Sequence, residues 1–111
     1  PFIWMDANDE SFHIVFHAEN QQAYSAWPSL HAWSLDLYHW TVSSSYELFG
    51  EGAYSTNVTW TDGTVTTFYR RERPEIMFDD KGNPLYLYNA VQEMKTANET
   101  GWPYAYSVVQ Q

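Results

Sequence analysis

The chain has 111 residues, of which 14 are acidic and 5 are basic, for a formal net charge of −9 at pH 7. This length allows one small domain or a fragment of a larger one. The acidic balance argues against DNA or RNA as a partner, because affinity for phosphate depends on Lys and Arg. The absence of cysteine excludes disulfides and thiolate metal sites.

Aromatic residues make up 19% of the chain, including six Trp and nine Tyr. Such rings fill β-sheet cores, and they also suit the apolar faces of sugars. No apolar run is long enough for a membrane-spanning helix, and no signal peptide is visible. Because Pro1 is not a natural translation start, we expect the chain to be processed, truncated or part of a longer polypeptide.

The first two predicted strands form a hairpin. Residues 2–5 are apolar and precede a turn rich in Asp and Asn. In residues 12–18 the even positions, such as Phe12 and Ile14, are apolar, while His13 and His17 share the other face. This alternation is typical of a half-buried strand.

The middle of the chain predicts short strands joined by turns. Residues 31–34 and 39–42 are extended around a turn at 35–38, with loops on either side. Farther along, Asp62-Gly63 predicts a two-residue type I′ turn, in which both residues have positive φ and Trp60 lies opposite Val65.

A third hairpin is predicted over residues 70–90, where two apolar runs flank a turn of Asp, Gly, Asn and Pro. Pro74 disfavours helix at Arg73 and predicts extended backbone there. Residues 92–103 are polar with a brief helical tendency, and residues 104–110 predict a final strand.

About nine short strands, with turns every 8–12 residues and no amphipathic helix, predict an all-β sandwich, barrel or propeller. Two hairpin-led units, residues 1–52 and 53–111, are loosely alike and have the size of a four-stranded propeller blade. We therefore predict two antiparallel blade-like sheets, a partial β-propeller.

Several segments resemble the five-bladed β-propeller glycoside hydrolases, that is, the arabinanases and xylosidases of family 43 and the related invertase group. The closest likeness is to eukaryotic family 43-like proteins. It implies the last two blades of a larger propeller, whose missing blades or a partner chain would cover the open sheet face. The segments are residues 1–4, residues 12–17, His31-Ala32-Trp33-Ser34, Trp40 and residues 70–91. Within the last of these, residues 72–76 resemble the family's Glu-Gly-Pro or Glu-Cys-Pro-Asp motif.

The same resemblance gives Glu72 the position of the general acid in glycoside hydrolysis. Arg70, Arg71 and Arg73 surround it, and nearby arginines lower the pKa of a carboxyl. Successive strand residues point to opposite faces, so Arg70 can share the face of Glu72 while Arg71 and Arg73 face away. The alternative interpretation is that these charged residues form ion pairs at the start of a strand and have no catalytic role.

A second catalytic carboxylate is not found. Asp6, Asp9, Asp79 and Asp80 fall in predicted turns, where hydrogen bonds to the backbone explain them. The family's aspartate before Pro1 would lie outside this chain. We therefore do not expect this polypeptide alone to catalyse the family's reaction.

The candidate substrate-binding residues are His31, Arg70, Arg73, Trp4 and Trp33. For His31 the alternative is a buried, hydrogen-bonded histidine, and for each Trp it is core packing. No cofactor is implied. We expect no metal site, because two histidines four residues apart on a strand are separated by about 13 Å.

Two Asn-X-Thr triplets, at Asn57 and Asn98, are candidate glycosylation sites. The sequence thus predicts a secreted or cell-surface fragment of a family 43-like protein that acts on or binds extracellular polysaccharide. The alternatives are a non-catalytic carbohydrate-binding or assembly module, and a compact β-sandwich in which the aromatic residues are all core.

Overall fold

A computed structural model describes residues 1–6, 8–17, 29–44, 52–93 and 105–111. These ranges contain nine strands in three antiparallel sheets and no helix, so the predicted all-β class is confirmed. None of the three sheets closes on itself, and no helix within these ranges could cross a membrane. The predicted helical tendency after Gln92 falls almost entirely outside the described residues.

The first sheet is a four-stranded meander in the order β1-β2-β3-β4. The predicted hairpin of residues 2–18 is confirmed as β1 and β2, and the predicted turn at 35–38 separates β3 from β4. In β2 the most buried side chains are Ser11 and Val15. They lie on the histidine face of the strand because the third sheet packs there. The strands are β1 (Phe2–Asp6), β2 (Ser11–His17), β3 (Ser29–Ser34) and β4 (Thr41–Ser44).

The second sheet is the hairpin of β5 (Asn57–Thr59) and β6 (Val65–Thr67). The predicted type I′ turn is wrong here. Only Gly63 of the Asp62-Gly63 pair has positive φ, 84°, and Trp60 exchanges backbone hydrogen bonds with Gly63 and Thr64. The connection is a three-residue loop, which shifts the register by one residue, so that Thr59 rather than Trp60 faces Val65.

The third sheet contains β7 (Arg70–Phe78), β8 (Pro84–Gln92) and β9 (Ala105–Gln110), in that order. A bulge interrupts β7 between Glu72 and Glu75. At this bulge Arg73 has a φ of 51°, so the predicted extended backbone at Arg73 is wrong. Arg73 and Pro74 lie opposite a single residue of β8, Asn89. This one extra residue bends the strand.

A small apolar core joins the second and third sheets. Val58 and Phe68 of the hairpin region pack with Val91 and Val108 of the third sheet. A backbone hydrogen bond of 2.9 Å from Tyr69 N–H to the Gln92 carbonyl continues the hairpin into the sheet. The hairpin thus covers the face of the third sheet that also carries the side chain of Arg71.

Candidate functional site

A cleft of about 550 Å³ opens between the first sheet, the segment before β5 and the third sheet. This volume lies in the range of small-molecule sites in proteins. One part of its lining is apolar, and the other carries hydrogen-bonding groups. The apolar residues include Trp4, Val15, Ile76 and Leu87, and the polar ones include His31, Asn57, Arg71 and Gln110.

Arg71 belongs to the cleft lining, although it is only 1% exposed. Its guanidinium donates hydrogen bonds to Asn89 Oδ1 at 2.8 Å, to the Ser55 carbonyl at 2.9 Å and to Gln110 Oε1 at 2.7 Å. It also lies over the ring of Tyr54, 4.8 Å from the centroid. The planar fork of arginine is therefore fixed in one orientation.

The acceptors of Arg71 are all neutral. Among the described residues no carboxylate forms an ion pair with it, although buried charges in proteins are usually paired. Burial lowers the pKa of Arg71 and raises that of Tyr54. Arginine remains protonated at neutral pH even so, so the cleft contains an uncompensated positive charge.

Ser29 fixes the position of Tyr54, and so of the ring under Arg71. Its hydroxyl donates to the Tyr54 carbonyl at 2.7 Å and accepts from the Tyr54 N–H at 2.5 Å. Ser29 is fully buried at the start of β3. Buried hydrogen bonds thus connect this side of the cleft to the first sheet, and such bonds are stronger in the protein interior than in water.

A chain of hydrogen bonds crosses the first sheet beside the cleft. Ser11 Oγ donates to Asp9 Oδ1 at 2.5 Å and lies 2.7 Å from His13 Nε2. His13 Nδ1 lies 3.0 Å from His31 Nε2, and His31 Nδ1 contacts the hydroxyl of Ser43. The five residues come from the β1–β2 turn and strands β2, β3 and β4, so only the sheet register brings them together.

The carboxylate of Asp9 sets the direction of this chain. Because Ser11 donates to Asp9, its oxygen accepts from His13 Nε2–H, which leaves His13 Nδ1 to accept from His31 Nε2–H. His31 Nδ1 is then a proton acceptor for the Ser43 hydroxyl. The Ser43 hydroxyl also lies 3.3 Å from the His31 carbonyl, and Ser43 itself does not line the cleft.

Ring stacking strengthens the same arrangement. The ring of Trp4 stacks on those of His13 and His31, at centroid distances of 5.1 and 5.9 Å. The two imidazole rings lie nearly coplanar and edge to edge, with centroids 5.2 Å apart, as the hydrogen bond between them requires. Burial and the neighbouring His13 lower the pKa of His31, so the neutral imidazole is favoured at the cleft.

Two of the predicted binding residues, Trp4 and His31, line the cleft, whereas Trp33, Arg70 and Arg73 do not. Trp33 lies opposite His13 on the same face of the first sheet. Trp4 also contacts Phe78 of β7 at 5.8 Å, which gives it a packing role as well.

Glu72 is half-buried and lies 3.7 Å from Arg70, an ion pair across one face of β7. Arg71 points to the opposite face, as the strand alternation predicts. Glu72 is not part of the cleft lining. Its role as a general acid stays a prediction.

Arg71 is the functional candidate that sequence reasoning missed. The alternation of side chains separated it from Glu72, but only the covering hairpin makes its face the buried one. Asn57, the first glycosylation candidate, is an exposed residue of the cleft lining, and its Oδ1 accepts from Thr67 Oγ1 at 2.7 Å. Asn98 lies outside the described residues.

Asp6, Asp9 and His13 each offer one ligand atom, and these atoms lie within 4.8 Å of one another. This set could hold a divalent cation only at the expense of the hydrogen-bond chain. Both ring nitrogens of His13 are engaged, one by Ser11 and the other by His31.

Comparisons with protein-family models, with curated proteins and with solved structures find no match to this chain.

Proposed function

We propose that this chain is part of an extracellular carbohydrate-active protein similar to glycoside hydrolase family 43, and that the cleft between its first and third sheets binds a saccharide. The observation that carries this proposal is the composition of the cleft. The apolar side chains of Trp4 and Leu87 line it together with the hydrogen-bonding groups of His31 and Arg71. A sugar presents the matching surfaces, apolar C–H faces and a rim of hydroxyls.

The backbone at Arg73 supports the family resemblance. Arg73 has a φ of 51°, in the left-handed region that glycine adopts at no steric cost. Of the two family motifs that this segment resembles, Glu-Gly-Pro has glycine at the position of Arg73 and Glu-Cys-Pro-Asp has cysteine, so the positive φ matches the first motif. The four-stranded meander of β1 to β4 has the topology of a propeller blade.

Saccharide binding is better supported than hydrolysis by this chain. Glu72 lies outside the cleft lining and beside Arg70, and hydrolysis requires a second carboxylate near the scissile bond. In the proposed whole protein, Glu72 acts as general acid and other blades supply the base. A non-catalytic module that keeps the saccharide cleft is the second candidate.

Missing blades or a partner chain are the proposed cover for the apolar side chains that this chain exposes. Ile3 and Met5 of β1 are 52% and 57% exposed, and Met77 of β7 and Val109 of β9 are about half exposed. A β-propeller buries such side chains between neighbouring blades. The open sheet edges support the same proposal.

Secretion or display at the cell surface is proposed from the two sequons. Asn57 lies in β5 and is exposed in the cleft lining, where a transferase could reach it. Mass spectrometry of peptides from the protein purified from its native source tests this. Glycan on Asn57 or Asn98 supports secretion, and unmodified peptides at both sites contradict it.

The saccharide proposal is tested by calorimetric titration of the full chain with oligosaccharides of arabinan, xylan and pectin. Trp4→Phe reduces the ring surface in the cleft and should weaken binding about three- to tenfold. Trp60→Phe is the matched control, because Trp60 lies in the β5–β6 loop, away from the cleft. No binding by any oligosaccharide, or equal losses in the two variants, would contradict the proposal.

Hydrolysis is tested separately with chromogenic arabinosides and xylosides and the longest natural polypeptide that contains this chain. Glu72→Gln should abolish turnover and retain saccharide binding. Turnover that survives this substitution excludes Glu72 as the general acid, and binding without turnover in the unmodified protein favours the non-catalytic module.

A further inference from the structure

We infer that the cleft selects an acidic sugar, whose carboxylate replaces the side-chain amide of Gln110 as the acceptor for Arg71. This inference rests on the proposed saccharide site and names its ligand class. It begins from the buried positive charge: Arg71 lines the cleft, and all three of its hydrogen-bond acceptors are neutral.

The three acceptors of Arg71 differ in how firmly they are fixed. Asn89 is 1% exposed, and the Ser55 acceptor is a backbone carbonyl. Gln110 is an exposed side chain on β9 that meets Arg71 at Nη2. A ligand can therefore displace the Gln110 amide without disturbing the other two bonds. Nη2 is therefore the guanidinium nitrogen whose acceptor a ligand in the cleft can replace.

A carboxylate is the better partner at this position. Hydrogen bonds between two charged groups are shorter and stronger than those to a neutral amide, and Nη2 would make such a bond to the carboxylate. The guanidinium is already oriented by Asn89, Ser55 and the Tyr54 ring, so binding requires little further ordering. We expect at least a tenfold preference for the acidic sugar over its neutral parent.

The sugar ring is needed as well as the charge. The chain carries a net charge of −9, which repels small anions in general. Trp4 and Leu87 supply apolar contact for a ring held beside Arg71. A simple carboxylate such as acetate lacks this contact and should bind far more weakly than a uronic acid.

The test is a calorimetric titration of the full chain at constant ionic strength with digalacturonate, its neutral parent galactobiose, and acetate. Digalacturonate should bind at least tenfold more tightly than galactobiose, and acetate should not bind measurably. Equal affinities for the two disaccharides would overturn the inference and leave the saccharide site standing. If no saccharide binds, the proposed function fails too. Acetate binding as tight as digalacturonate would overturn the requirement for a sugar.

Gln110→Glu tests the mechanism, because it places a carboxylate of the chain itself against Arg71. This variant should lose the preference for digalacturonate and should unfold at the same or a higher temperature than the unmodified protein. Ser107→Glu is the matched control, with the same added charge on β9 at an exposed position outside the cleft lining. It should keep the preference. A preference retained in Gln110→Glu, or lost equally in both variants, overturns the inference.

Discussion

Substitution of Arg71 by Met should destabilise the protein although it removes a buried charge. The change leaves three acceptors without their donor: Asn89 Oδ1, the Ser55 carbonyl and Gln110 Oε1. Removal of the charge recovers desolvation free energy, which offsets much of the lost charge-assisted bonding. The net cost therefore depends on which acceptors water can reach.

The three acceptors that lose their donor contribute unequally to the loss of stability. Asn89 is 1% exposed, and an unsatisfied buried group costs about 1–3 kcal/mol. Water can replace Arg71 at Gln110, which is exposed, and partly at Ser55, so these two together cost about 1 kcal/mol. We expect a loss of about 2–4 kcal/mol in the free energy of unfolding. For a domain of this size this is a fall of roughly 9–17 °C in melting temperature.

The assay is urea unfolding of the full chain followed by circular dichroism, with Arg70→Met as the matched control. Arg70 is partly exposed, with its Nη1 3.7 Å from a Glu72 carboxylate oxygen, so its loss should cost less than about 1 kcal/mol. If Arg71→Met unfolds at the same urea concentration as Arg70→Met, or later, the assigned role of the Arg71 hydrogen bonds is wrong.

Three further predictions concern single positions. Gly63 has a φ of 84° and open space around its Cα, so Gly63→Ala should lower the free energy of unfolding by about 1 kcal/mol through backbone strain. Arg73 already has a φ of 51°, so Arg73→Gly should not lower it. Equal losses of stability in thermal unfolding of the two variants would contradict both assignments. Hydrogen bonds from the ring and backbone of His39 lower the pKa of Asp36 from 3.8 to about 2, so the stability it contributes is present above pH 3.8 and lost as the pH falls toward 2. The difference in urea midpoint between the unmodified protein and Asp36→Asn should therefore shrink over that interval, and a constant difference would refute the assignment. Because the pKa of His31 is lowered in the folded protein, the unfolded chain binds a proton at this imidazole at a higher pH than the folded chain does. The free energy of unfolding should therefore decline as the pH falls below 6.5. An NMR titration that gives His31 a pKa above 6.5 would exclude this.

Local sequence patterns were sufficient to predict the strands. Alternation defined the hairpin of β1 and β2, and the Asp-Gly-Asn-Pro turn defined that of β7 and β8. The turn at Asp62-Gly63 was predicted with the wrong geometry. An Asp-Gly pair suits both a two-residue loop and a three-residue loop with glycine last, and the choice depends on strand register.

The site was less predictable than the strands. The alternation of side chains along a strand showed that Arg71 and Glu72 point to opposite faces of β7. It did not show which face would be buried, because that depends on the packing of the distant hairpin β5–β6. The contact between His13 and His31 likewise follows from the register of β2 against β3. His31 was chosen from a family resemblance and Trp4 as a tryptophan able to stack a sugar, and the structure brings both to the cleft.

The most direct test of the saccharide cleft is a two-dimensional ¹H–¹⁵N NMR titration of the full chain with digalacturonate, followed at the Arg71 Nε–H and Trp4 indole N–H signals. Both signals should shift in a saturable way with a single dissociation constant, while the indole signals of Trp40 and Trp60 stay in place. If the Arg71 and Trp4 signals do not move, or if the shifts are confined to Trp40 and Trp60, the cleft is not the saccharide site.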